Sequence, residues 1–127
     1  MKLKLSNLKK TWLIDIDGVI FKHNAYLKYY KKNKNDRLLP GVKRFFKKIP
    51  SDDYIILLTS RNKKFKEYTI KQLSYYGIRF NKILFDLPVG ERILINDIKP
   101  NGLKTAIAIN LKRDGGFIKQ LKFISAR

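Results

Sequence analysis

The run Trp12-Leu13-Ile14-Asp15-Ile16-Asp17-Gly18-Val19-Ile20 sets two carboxylates two residues apart among apolar neighbours. In a strand, successive side chains alternate between faces, so Asp15 and Asp17 project to the same one. An unpaired buried carboxylate is strongly disfavoured, so this reading demands a compensating partner. A hard divalent cation meets the demand, since Mg²⁺ is commonly held by one or two carboxylates with water and substrate phosphate completing its shell. The same residues also read as a β-hairpin, with Asp17-Gly18 as a type I′ turn between WLIDI and VIF. The segment alone leaves both readings open.

Working outward, Val42, Phe45, Phe46 and Ile49 fall at i, i+3, i+4 and i+7, which predicts a helix starting just after Pro40 and stopped by Pro50. The run YIILL at 54–58 is continuously apolar, as in a strand covered on both faces. Phe65, Thr69, Leu73 and Tyr76 form the next helical stripe, ending at Gly77 in the C′ position. Short strands are expected at 83–85, 92–95 and 105–109, and Gly115-Gly116 breaks the chain before an apolar tail, 117–124, that fits either element. Strands alternating with helices predict an α/β fold, three layers around a mostly parallel central sheet. With 127 residues and no internal repeat, one domain over 1–127 is expected, carrying a short basic, Asn-rich insert at about 21–39.

Composition narrows the function classes. Hydrophobic residues at 44% exclude a disordered chain, and no apolar run approaches the about 20 residues of a membrane-spanning helix, so no membrane partner is expected. The start, MKLKLSNLKK, lacks the apolar core of a secretory signal. The absence of Cys excludes disulfides, a thiolate nucleophile and Cys-based zinc sites, and a cytoplasmic location is the expectation. The net charge of +19 suggests a polyanionic partner. Lys outnumbers Arg 22 to 7, however, and Ile (16) and Asn (9) are abundant, the bias of AT-rich codons drifting into permissive surface positions. Nucleic acid is therefore a candidate partner but not the favoured one. Tyr26, Tyr29 and Tyr30, interleaved with Lys28, Lys31, Lys32 and Lys34, read as a lid, an interface or a nucleic-acid surface, or as a helix with its aromatic side on the domain.

Two further segments bear on Asp15 and Asp17. Thr59-Ser60-Arg61 follows a buried strand and precedes a helix, where hydroxyls and backbone N–H groups favour a phosphate. The run Arg92-Ile93-Leu94-Ile95-Asn96-Asp97 is a third strand candidate ending in a carboxylate. If all three are strands, Asp15, Asp17, Thr59 and Asp97 gather at the carboxyl ends of a parallel sheet, where open α/β folds bind ligands.

Taken in series, DIDGVI, LLTSR and LIND resemble motifs I, II and IV of the haloacid dehalogenase-like (HAD) phosphohydrolase superfamily over residues 12–97, and TAIAINLKRDGG resembles the final strand of that Rossmann-like fold. The resemblance implies a small Mg²⁺-dependent phosphatase without a large cap domain. Asp15 is then the nucleophile that becomes an aspartyl phosphate, and Asp17 the acid and base. Mg²⁺ is implied at Asp15, Asp97 and the backbone carbonyl of Asp17, where it screens repulsion between Asp15 and an anionic phosphate. The resemblance extends to enzymes acting on sugar phosphates in surface-polysaccharide assembly. A nucleotide or a polynucleotide end also suits an open basic site.

The chain departs from that pattern in ways that redirect expectation. The loop Asp86-Leu87-Pro88-Val89-Gly90 has no Lys where motif III supplies a phosphate contact, and Lys82 lies at the wrong end of its strand. Arg61 and Lys99 are the candidate replacements, beside Thr59 and Ser60, for holding phosphate. The second acidic position after motif IV is absent, Asn101 and Gly102 standing near it. The only histidine, His23, lies six residues past Asp17 and is a surface or capping residue or a substrate contact. Between Ile20 and Pro40 there is too little chain for a folded cap, so the site is expected to be open unless a second copy of the chain covers it. A noncatalytic basic binding module on the same fold is the alternative, motivated by the missing motif III Lys.

Overall fold

The computed structural model describes residues 2–23, 35–117 and 122–125. The Tyr26, Tyr29, Tyr30 and Lys28, Lys31, Lys32, Lys34 cluster lies outside them. In chain order the elements are β1 (Lys2–Leu5), β2 (Thr11–Asp15), α1 (Val42–Lys48), β3 (Tyr54–Leu58), a 3-10 turn (Lys63–Phe65) running into α2 (Lys66–Tyr75), β4 (Lys82–Leu84) and β5 (Lys122–Ser125). Strands β2, β3 and β4 form one parallel sheet in that order, with Trp12 opposite Ile55 and Asp15 opposite Leu58. Parallel neighbours require crossovers, which α1 and α2 supply. The result is a small α/β domain with a parallel three-stranded sheet and two helices.

Each helix ends where its local sequence directs. Gly41 precedes α1 with φ 79°, a left-handed conformation that favours glycine, and Lys47 and Lys48 occupy the last turn, where the helix dipole favours positive charge. At the end of α2, Gly77 takes φ 70°; its N–H donates to the Ser74 carbonyl and that of Ile78 to Leu73, closing the last turn. The predicted stripes reach one core, in which Ile14, Ile16, Ile55 and Leu57 meet Val42, Phe45 and Phe46 of α1 and Leu73 of α2. Phe45 stacks on Phe117 at 4.1 Å and meets Trp12 edge-on at 5.8 Å. β3 is less symmetric than its run of apolar residues suggests: Ile55 and Leu57 are fully buried, whereas Ile56 and Leu58 are only partly so.

Two expected strands do not form. Residues 92–95 and 105–109 carry no ladder hydrogen bonds among the described residues, and all of 91–100 is exposed. A strand exists only with a partner. β2 is an edge of its sheet on the side away from β3, and among the described residues nothing pairs with it there. The nearby chain closes on itself instead, through an Ile98–Lys104 bridge in which the Lys99 N–H donates to Leu103 and that of Gly102 to Lys99. Conversely, a second sheet was not expected: β1 pairs in parallel with β5, Leu3 opposite Phe123, so part of the tail is strand. Among the described residues no helix is long and apolar enough to cross a membrane.

Candidate functional site

The hairpin reading of Asp17-Gly18 is excluded by the backbone. After β2 the Ile16 N–H still donates to Leu58, and then the chain coils: the N–H groups of Ile20 and Phe21 both reach the Ile16 carbonyl, with Gly18 at φ 90°. Phe21 pairs antiparallel with Leu38, flanked by Lys22 N–H to Arg37 and Leu39 N–H to Ile20. This turn leaves Asp15 and Asp17 at the carboxyl end of β2, beside the residues that follow β3, the edge at which open parallel sheets receive ligands.

Thr59 is buried just past β3. Its N–H donates to the Leu84 carbonyl, its carbonyl accepts from Leu87, and its hydroxyl accepts the Arg61 N–H at 3.0 Å. Ser60 is exposed, its hydroxyl 3.5 Å from the Pro88 carbonyl. The helix start expected to hold a phosphate is met by the chain's own side chains: the Lys64 N–H donates to Asn62 Oδ1 at 2.9 Å, and that of Lys63 to the Asp86 carboxylate at 3.2 and 3.3 Å. Asp86 holds this position from a left-handed conformation, φ 58°.

Arg61 has a different place from the one its sequence position suggests. Its guanidinium is buried and directs Nε and Nη2 to the two oxygens of Asp17 at 3.0 and 2.8 Å. Nη1 and Nη2 reach the two oxygens of Asp36 at 3.2 Å each, and Nη1 also reaches the Thr69 hydroxyl at 3.1 Å. These five bonds engage all five donors of an arginine, leaving none for a phosphate. Burial works against the guanidinium charge, yet Asp17 and Asp36 outweigh it and hold its pKa above the ordinary arginine value. Burial raises the Asp36 carboxyl above the usual carboxylate range, with Arg61 opposing.

Asp15 is more open, its side chain 35% exposed, and its pKa is raised by burial against the opposing charge of Arg92, whose Nη2 lies 3.5 Å from Oδ1. Arg92 is thus the cation beside the candidate nucleophile. Lys99 is exposed on the 98–104 loop, and its backbone N–H closes that loop. Asp97 is exposed; its N–H is met by Asn96 Oδ1 and its carbonyl accepts from Thr105 Oγ1. Among the described residues no group of three or more His, Cys, Asp or Glu side chains, Asp15, Asp17 and Asp97 included, is arranged to hold a metal ion. Asp15 fits as a single carboxylate ligand; the Asp17 carboxylate is engaged by Arg61, so from that residue the backbone carbonyl is the group that would serve. His23 is half-buried, its backbone N–H donating to Asp114 Oδ1 at 2.7 Å.

Two residues of this site were not anticipated as functional. Asp36 had one signal, as the only acidic residue in the basic stretch 21–39. Arg92 opens a strand-like run and carried no signal of its own. The chain matches no family model, no curated protein and no solved structure, so the functional reading rests on its own residues.

Proposed function

We propose that this protein is a phosphomonoester hydrolase in which Asp15 is the nucleophile and Asp17 the acid and base. The observation that carries the reading is the placement of these two carboxylates at the carboxyl end of a parallel strand, Asp15 open to solvent and Asp17 gripped by a buried arginine. An Asp15 oxygen attacks phosphorus as the bond to the leaving oxygen breaks, and Asp17, entering the step as the carboxylic acid, gives its proton to that oxygen and becomes the carboxylate paired with Arg61. Asp17 then takes a proton from the water that attacks the aspartyl phosphate, and phosphate leaves with Asp15 restored. Asp15 would hold Mg²⁺ through its carboxylate, and the ion would supply charge screening between nucleophile and phosphate. Arg92 takes the compensating role that the sequence suggested for Arg61 or Lys99, and Thr59 shapes the loop through its hydroxyl. The substrate class is a small phosphomonoester, a sugar phosphate or a nucleotide, reaching a site without a large cap.

A second reading, a noncatalytic basic binding module, is favoured by the engagement of every Arg61 donor within the protein, which leaves that residue none for a substrate phosphate. Hydrolysis of an aryl phosphate divides the two. The enzyme reading expects turnover that requires Mg²⁺, stops with EDTA and is lost in Asp15→Asn. Purified protein without such turnover on a panel of sugar phosphates and nucleotides leaves only the binding module.

A further inference from the structure

The buried side of the Arg61 network has no part in the chemistry just described, yet it is the more tightly built side. Asp36 and Arg61 have side chains 1% exposed, whereas Asp17 is 18% exposed, so the three form a line from the interior to the mouth of the site. Asp36 is itself anchored to α2: its N–H donates to Gln72 Oε1 at 2.7 Å, and its carbonyl accepts from the Tyr76 hydroxyl. Gln72 Nε2 also donates to Asn35 Oδ1 at 3.2 Å. The Phe21 ring lies 5.6 Å from the guanidinium carbon and adds a further restraint.

One carboxylate suffices to neutralise one arginine. A second, fully buried one carries an additional desolvation penalty without being needed for charge balance, so stability alone is a weak account of it. What the second carboxylate adds is orientation. An arginine held by Asp17 alone retains several rotamers and turns with its partner. Held from behind by both oxygens of Asp36 and by Thr69, its fork has one direction, and the plane of the Asp17 carboxylate follows from it. We propose that Asp36 is a positioning residue, acting through Arg61 to fix the Asp17 carboxyl group at the angle needed to exchange a proton with the leaving oxygen and with the attacking water. This rests on the hydrolase reading given above.

The test uses a feature of leaving groups. An alkyl phosphate leaves poorly without a proton, whereas a p-nitrophenyl phosphate leaves with little help, so loss of a positioned acid falls mainly on the first. In Asp36→Asn, kcat on the alkyl ester should fall about tenfold or more beyond the fall on the aryl ester, within the 10²–10⁴ range of acid–base catalysis, with the KM ratio little changed. Thr69→Val, which removes one of the five bonds at nearly constant shape, should show a smaller split in the same direction. Equal losses on both esters, or none, in both variants overturns the proposal.

A readout independent of turnover separates this from failure of the hydrolase reading. In protein with ¹³C-labelled Asp, the Asp17 carboxyl resonance should move on Asp36→Asn, and the Arg61 Nε–H should lose its protection from exchange. If the wild type hydrolyses nothing, the hydrolase reading fails while those two signals still decide whether Asp36 orients Asp17. Signals unchanged in the variant overturn the coupling whatever the activity.

Discussion

The runs YIILL at 54–58 and RILI at 92–95 are close to interchangeable in composition and opposite in fate. In the first, Ile55 and Leu57 are 0% exposed; in the second, Ile93 and Ile95 are 83% and 90% exposed. Both have the β-branched, apolar character of a buried strand. The first lies between β2 and β4 and pairs with both, whereas the second has no partner among the described residues. Apolar character states what burial would gain, and partner availability decides whether it happens. The chemistry divides along the same line: YIILL leads into Thr59 and the buried Arg61, and RILI into the exposed Asp97. The second region reaches the site through Arg92, whose Nη2 lies 3.5 Å from Oδ1 of Asp15 at the end of β2, the strand that β3 pairs with.

Amide exchange should separate the regions most widely. The paired amides of β3 are expected to exchange only through global unfolding, which for a domain of this kind requires about 5–15 kcal/mol, and those of 92–96 at nearly the rate of a free peptide. Slow exchange at Ile93 and Ile95 would break the comparison, since it would mean the run is paired after all.

Next in size is the contrast between the residues that end the two runs. Arg61→Ala leaves Asp17 and Asp36 without their cation, and a loss of about 3–5 kcal/mol in urea unfolding is expected. Asp97→Ala, at an exposed position, should stay within about 0.5 kcal/mol. The apolar residues sharpen the point with less electrostatics involved. Leu57→Ala should cost about 2–5 kcal/mol through lost burial and the cavity left behind, while Ile95→Ala should again stay within about 0.5 kcal/mol. A destabilising Ile95→Ala of similar size would place that side chain in a core.

The smallest effect concerns Asp15, the β2 residue that Arg92 of the second region meets. The Asp15 carboxyl is raised from its ordinary value of 3.8, so in the acid range the folded state binds more protons than the unfolded one, and stability falls as pH rises from that value through the folded pKa. Asp15→Asn removes the group that causes the decline. With EDTA present, it should raise the melting temperature at pH 7 by a stabilisation under about 1 kcal/mol, because the group is more than a third exposed, and the gain should vanish below pH 3.8. A variant that melts lower than wild type at pH 7 would show that the Arg92 contact outweighs the burial.

By itself the sequence determined whatever depends on local periodicity and stereochemistry. Val42, Phe45 and Phe46 define one face of α1, Gly41 and Gly77 mark helix ends that require positive φ, and the apolar runs become β2 and β3 because neighbouring crossovers return each strand beside the last. The adjacency of Asp15 and Asp17 was likewise legible, since alternation along a strand needs no knowledge of the rest of the chain. Only the tertiary structure decided which apolar runs pair, because a strand's partner comes from far along the chain: β1 with β5, and nothing described with 92–95. It also decided the role of Arg61. An arginine after a strand reads as a phosphate ligand until a carboxylate 25 residues earlier, in a stretch that resembles a linker, is found buried against it. That contact depends on Gln72 and Tyr76 of α2 holding the backbone of Asp36 in place, and no spacing within the 21–39 stretch encodes it.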